Sequence, residues 1–145
     1  MSEKELDNRT GNMITVDVMV DKPVEYVWKC FTHPEHVVKW NFASEDWHCP
    51  FAENTLEQGG RFRYTMAAKN GEVSFDFEGT FDRIEVNKHL SYNLGDQRIV
   101  TIDFIEMGGR TQVVESFEAE GDNSLELQRT GWQAILDNFK KHAEA

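Results

Sequence analysis

Cysteine is scarce. Cys30 and Cys49 are the only two in 145 residues, and they form no C-x-x-C arrangement. In a reducing cytosol both stay thiols, and each is expected to fill core space rather than to act as a nucleophile. Basic residues are also few, 15 against 26 acidic ones, for a net charge of −11. Nucleic-acid binding needs clustered Lys and Arg to displace phosphate counterions, so that partner is excluded, and an anionic membrane surface should repel the chain too. No apolar run approaches the roughly 18 residues of a spanning helix. The opening Met1-Ser2-Glu3-Lys4-Glu5-Leu6-Asp7 is polar and lacks the apolar middle of a signal peptide. Repeats, low-complexity tracts and Pro/Gly/Ser linkers are likewise missing. The expectation is a soluble, cytoplasmic protein with one core, a length of this order normally making one domain.

Aromatic side chains are plentiful by comparison. Ten Phe, four Trp and three Tyr make up 12% of the chain, although hydrophobic residues reach only 39%. The apolar side chains are thus few and large. They can fill a core, or they can line a cavity with flat rings.

Residues 1–11 read as a flexible polar tail, and 12–145 as a single domain. Ile14, Val16, Val18 and Val20 alternate with more polar neighbours, the period of a strand. Asp21-Lys22-Pro23 then opens a helix, Asp21 or Lys22 near the cap and Pro23 in its first turn. Val24, Val27, Trp28 and Phe31 form its apolar stripe, Thr32-His33-Pro34 breaks it, and Glu35–Trp40 adds another turn or two. Asn41 to Gln58 is a polar and aromatic stretch without a clear period. From Gly59 to about Ala119 the pattern is an antiparallel meander. Asn70-Gly71 marks a type I′ hairpin turn, and a parity change after Phe81 marks a bulge near Asp82-Arg83. Asn123, with Glu126 three residues on, caps a long final helix. The order of elements is α+β: a curled antiparallel sheet wrapped around a long C-terminal helix, with two short helices after the first strand.

Several ordered pieces carry a resemblance. They are Asp21-x-Pro23-Val24-x-x-Val27-Trp28-x-x-Phe31-Thr32-x-Pro34 with Trp40, then Gly59-Gly60-x-Phe62, Phe77-x-Gly79-x-Phe81 and Gly131-Trp132-x-x-Ile135-Leu136-x-x-Phe139. Together they resemble the SRPBCC superfamily, the START and Bet v-like helix-grip proteins. More narrowly they are similar to its Aha-type branch, homologues of the activator of the heat-shock-protein ATPase. The resemblance implies a helix-grip fold with a cavity between sheet and helix, often used for apolar ligands. The chaperone-activating role belongs to a longer relative with an extra amino-terminal domain and is not carried over.

Two places suggest chemistry. In Trp40 to Pro50, Asp46 could orient His48 through one ring nitrogen if both lie on a strand, leaving the other for a ligand or proton. The plainer alternative packs Trp47 in the core and uses Asp46 in a turn. Glu115 shares strand parity with Val113 and Phe117; if that face is concave, a carboxylate points into the cavity. If Val114 marks the inward face instead, Glu115 is solvated. Arg61, Arg63, Asp76, Glu78, Thr80 and Asp82 read as an outer polar face.

Metal binding has little support: His33 and His36 are interrupted by Pro34, and His48 and Cys49 would point apart. No cofactor is implied. The leading expectation is a small-molecule binding protein for a largely apolar or amphipathic ligand. Its walls would come from Trp40, Trp47, Tyr64, Phe75, Phe77 and Trp132, and its selectivity from His48 or Glu115. An acid/base enzyme of cyclase, dehydratase or hydrolase type, using Asp46, His48 and Glu115, is the alternative. A chaperone- or partner-binding module is another. Exposed sheet edges could pair into a homodimer.

Overall fold

A computed structural model describes residues 13–145. The tail expected over residues 1–11 lies outside the described residues. Strand β1 (Met13–Val20) leads into helices α1 (Val24–Thr32) and α2 (Pro34–Trp40). Six further strands follow: β2 (Trp47–Asn54), β3 (Arg61–Ala68), β4 (Ser74–Glu85), β5 (His89–Leu94), β6 (Ile99–Met107) and β7 (Arg110–Glu118). The chain ends in α3 (Leu125–Glu144). All seven strands form one antiparallel sheet in the order β1-β7-β6-β5-β4-β3-β2. The last six make a simple meander, and β1 returns to pair with β7, setting Val16 opposite Glu115.

Alternation decides which face is buried. Ile14, Val16, Val18 and Val20 of β1 turn inward, as do Val113, Glu115 and Phe117 of β7. They meet the apolar stripe of α3, where Leu136, Phe139 and Ala143 are buried. The α1 stripe is as its spacing predicts, with Val24, Val27, Trp28 and Phe31 all buried. The bulge falls where the parity change puts it, between Phe81 and Arg83.

Four local details differ from the sequence reading. Pro23 is itself the N-cap of α1 and offers no side-chain bond. The stretch after Asn41 contains a strand, β2, whose register slips between His48 and Phe51. The Asn70-Gly71 turn is not type I′. Gly71 has φ +80° but Asn70 is not left-handed, and the Gly71 amide donates to the Ala68 carbonyl at 2.9 Å. Finally, α3 is capped by Ser124, whose hydroxyl accepts from the Leu127 amide at 3.1 Å. Asn123 is held instead by the Glu120 carboxylate.

Edge strand β1 is shielded by α3. Arg129, Gln133 and Lys140 donate to the carbonyls of Thr15, Asp17 and Met19, alternate residues along its outer edge. Those acceptors are thereby withdrawn from strand pairing with another chain.

Gly79 shows how tightly the sheet bends. A Cβ there would stand 2.2 Å from the Asn93 carbonyl oxygen and 3.1 Å from Phe62 Cζ. Gly79→Ala must therefore push β4 off β5, and we expect a loss of about 2 kcal/mol or more, read from urea unfolding midpoints.

Candidate functional site

The interior has a solid end and a hollow end. At the solid end Phe139 of α3 meets Phe31 and Trp40 edge-on, with ring centroids 5.2 and 5.0 Å away. Phe31 in turn packs edge-on against Phe104 at 5.5 Å. Beyond Phe31 and Trp40 the sheet and α3 diverge around a cavity of about 420 Å³. That volume lies in the range that holds a small organic ligand.

Aromatic rings, with aliphatic side chains such as Leu56, Leu90, Ile135 and Leu136, line the cavity. Phe62 is central to the sheet side: Tyr64 and Phe77 stack beside it at 5.1 and 5.7 Å, and Tyr92 meets it edge-on at 4.8 Å. On the helix side Trp132 lies flat against Phe117, with centroids 3.9 Å apart and planes 11° apart. Trp132 also reaches across to Phe77 at 5.9 Å. The mouth is marked by exposed lining residues, Ala43, Ser44 and Asn123 among them. Phe75 also stands there, 48% exposed and packed against Trp47 at 5.9 Å.

Few polar groups enter this aromatic shell. Glu115 lines the cavity and is only 7% exposed. Burial alone pushes its carboxyl up to about 8, so it is largely a neutral acid at physiological pH. Tyr64 and Tyr92 stand with it. Burial lifts the Tyr64 hydroxyl to about 12, and Tyr64 accepts a hydrogen bond from Asn54 Nδ2 at 3.0 Å. Burial, then the neighbouring Glu115 and Tyr64, push the Tyr92 hydroxyl well above its ordinary value. Asn41 also lines the cavity, and its Nδ2 is buried with no hydrogen-bond partner. An unpaired buried donor of this kind costs about 1–3 kcal/mol. Gln128 does the opposite, tying the loop before α3 by donating to the carbonyls of Glu120 and Asn123.

Of the residues singled out from sequence, Trp40, Trp47, Tyr64, Phe75, Phe77, Glu115 and Trp132 line this cavity. His48 and Asp46 do not line it, and both are exposed. The pairing of residues i and i+2 requires both on a strand, but Asp46 sits in the turn before β2. Within β2, Trp47 and Cys49 turn inward, which sends His48 outward. The three acid/base candidates are therefore not assembled in one place. Arg61 and Arg63 are on the outer face as expected, Arg63 pairing with Glu53 at 3.3 Å. Tyr92, Phe62 and Asn41 also line the cavity; in the sequence Leu90-x-Tyr92-x-Leu94 reads as ordinary core alternation.

A seven-stranded antiparallel sheet gripping a C-terminal helix, with a ring-lined cavity between them, defines a helix-grip domain of the SRPBCC type. The chain belongs to the Activator of Hsp90 ATPase homolog 1-like protein family, whose model matches residues 21–144. It is similar to the solution structure of the AHSA1-like protein from Aeromonas hydrophila, at 40% identity and a TM-score of 0.83, over 90% of this chain and 92% of that one. A second solution structure, from Cytophaga hutchinsonii, is 49% identical with a TM-score of 0.80, over 92% and 93% of the two chains. A crystal structure from Chromobacterium violaceum shares the fold at 21% identity, TM-score 0.82, over 92% and 99%. No curated protein matches the chain. Among the described residues, no helix is long and apolar enough to cross a membrane. Membership of this family supports a ligand-binding or partner-binding module.

Proposed function

We propose that the protein binds a small, flat, largely apolar ligand in the cavity between sheet and α3. The observation that carries this reading is a buried carboxyl, Glu115, the only one among the described residues, in a chamber of about 420 Å³ lined largely by aromatic and aliphatic side chains. A chain selected only for stability would fill such a space, since interiors pack to near-crystalline density. Gly131 points the same way. It lies in the interior of α3 and lines the cavity, yet a Cβ there would meet nothing within 4 Å. Glycine inside a helix costs about 1 kcal/mol relative to alanine, and here that cost keeps space open.

The neutral Glu115 acid can donate one hydrogen bond and accept others, and Tyr64 and Tyr92 add hydroxyls beside it. These suit a ligand with an apolar ring body and one hydroxyl, carbonyl or amine. The acid/base enzyme reading is weaker, since Asp46 and His48 stand outside the chamber. Native mass spectrometry of freshly purified protein is expected to show a bound small-molecule adduct, or stoichiometric uptake of neutral 1-aminoanthracene. Protein that is consistently empty and takes up no such probe would overturn this function.

A further inference from the structure

On the far side of the solid end, three helices bring together a thiol and two imidazoles. Cys30 comes from α1, His36 from α2 and His142 from the last turn of α3. None of them lines the cavity. His36 Nδ1 and His142 Nε2 are 2.8 Å apart, and the Cys30 sulfur and one nitrogen of each ring all lie within 4.8 Å of one another. Cys30 is fully buried, while both histidines are partly exposed, so the group has a closed back and a front open to solvent.

We propose that Cys30, His36 and His142 form a binding site for a divalent transition metal of the zinc class. Tetrahedral donors at ordinary zinc bond lengths stand roughly 3.3–3.7 Å apart. The present donors reach that spacing if the two imidazoles part slightly and close on the buried thiol by about 1 Å, motions that partly exposed rings accommodate. A thiolate with two imidazoles selects zinc and its neighbours over magnesium or calcium, which prefer oxygen donors. With three protein ligands the fourth position falls to water, the arrangement of an open site and not of a closed structural one.

Binding has a definite proton balance. The Cys30 thiol proton leaves to solvent as the metal–sulfur bond forms. The hydrogen now shared between the two imidazoles moves to the other nitrogen of its own ring, freeing both facing lone pairs. Lys22 and Lys29 act on Cys30, and Lys39 acts on His142. These cations favour the thiolate and oppose the incoming metal charge, two effects of opposite sign that added salt screens together. Tyr26 supplies an outer contact, its ring edge-on to His36 with centroids 6.4 Å apart. A bound ion would pin α1 and α2 to the end of α3.

Titration of tag-free full-length protein with Co²⁺ tests this. One equivalent should generate a thiolate-to-cobalt charge-transfer band, which Zn²⁺ then abolishes by displacement. Cys49→Ser keeps the band and Cys30→Ser loses it. Because Cys30 is buried and its replacement could unfold the chain, His36→Gln and His142→Gln provide the second arm. Each should weaken cobalt binding by on the order of 100-fold or more while the metal-free protein keeps its circular dichroism. Absence of the sulfur band, or a band that survives His36→Gln and His142→Gln, would overturn the site.

Discussion

Glu115→Gln is expected to raise the melting temperature by roughly 5–10 °C at pH 8, relative to the native chain, and to change it little at pH 5. The native fold holds this carboxyl near 8, whereas the unfolded chain titrates at its ordinary 4.5. Between those values the unfolded state has released a proton that the native state keeps. Stability therefore falls as pH rises from about 4.5 to about 8, and the loss is constant above that. At about 1.4 kcal/mol per pH unit the gross effect approaches 5 kcal/mol, of which glutamine's own amide desolvation takes back 1–2. His142 titrates the other way: burial holds it below its ordinary value, so its contribution grows as pH rises towards 6.5. Both proteins share that term, and it cancels in their difference. Thermal scans of the pair at both pH values decide the matter. An equal shift at pH 5 and pH 8 would mean that Glu115 is solvated.

Phe139→Ala is expected to cost about 3–5 kcal/mol, a fall of roughly 10–15 °C in melting temperature. Phe139 is completely buried and bridges Phe31 and Trp40, so its removal leaves a void that no neighbour can fill. Trp132→Ala removes a larger side chain but should cost less, about 2 kcal/mol, because part of that ring already faces the cavity. Urea unfolding of the two variants reads the contrast directly. If Trp132→Ala proved the more damaging, the division into solid and hollow ends would be wrong.

Much of the fold was legible because it rests on periodicity. Ile14 to Val20 and the α1 stripe show their buried faces at the strand and helix periods, and the Phe81 parity change shows the bulge. Strand β2 was not legible. Pro50 removes a donor and the register slip breaks alternation, both tolerated because β2 is a sheet edge. The cap of α3 moved by one residue because the Glu120 carboxylate engages Asn123, a competition invisible to a capping pattern. At the site, parity offered Glu115 as inward or outward. Pairing resolves it, since Val16 and Ile102, both inward, flank it in register. Tyr92 looks like any core residue until α3 is seen to stand away from it. The Cys30, His36 and His142 group joins residues from both ends of the chain, and no local spacing rule can find it.

If the hollow end binds the ligand, Gly131 is the position at which binding can be blocked most directly. Residues 128, 131 and 135 share one helical face, so a leucine at 131 projects into the chamber between Gln128 and Ile135. Titrating the native chain and Gly131→Leu with 1-aminoanthracene, alongside their thermal unfolding, separates binding from stability. The Gly131→Leu variant is expected to be at least as stable as the native chain, with affinity for the probe lower by roughly tenfold or more. Unchanged probe affinity in a stably folded Gly131→Leu protein would contradict it.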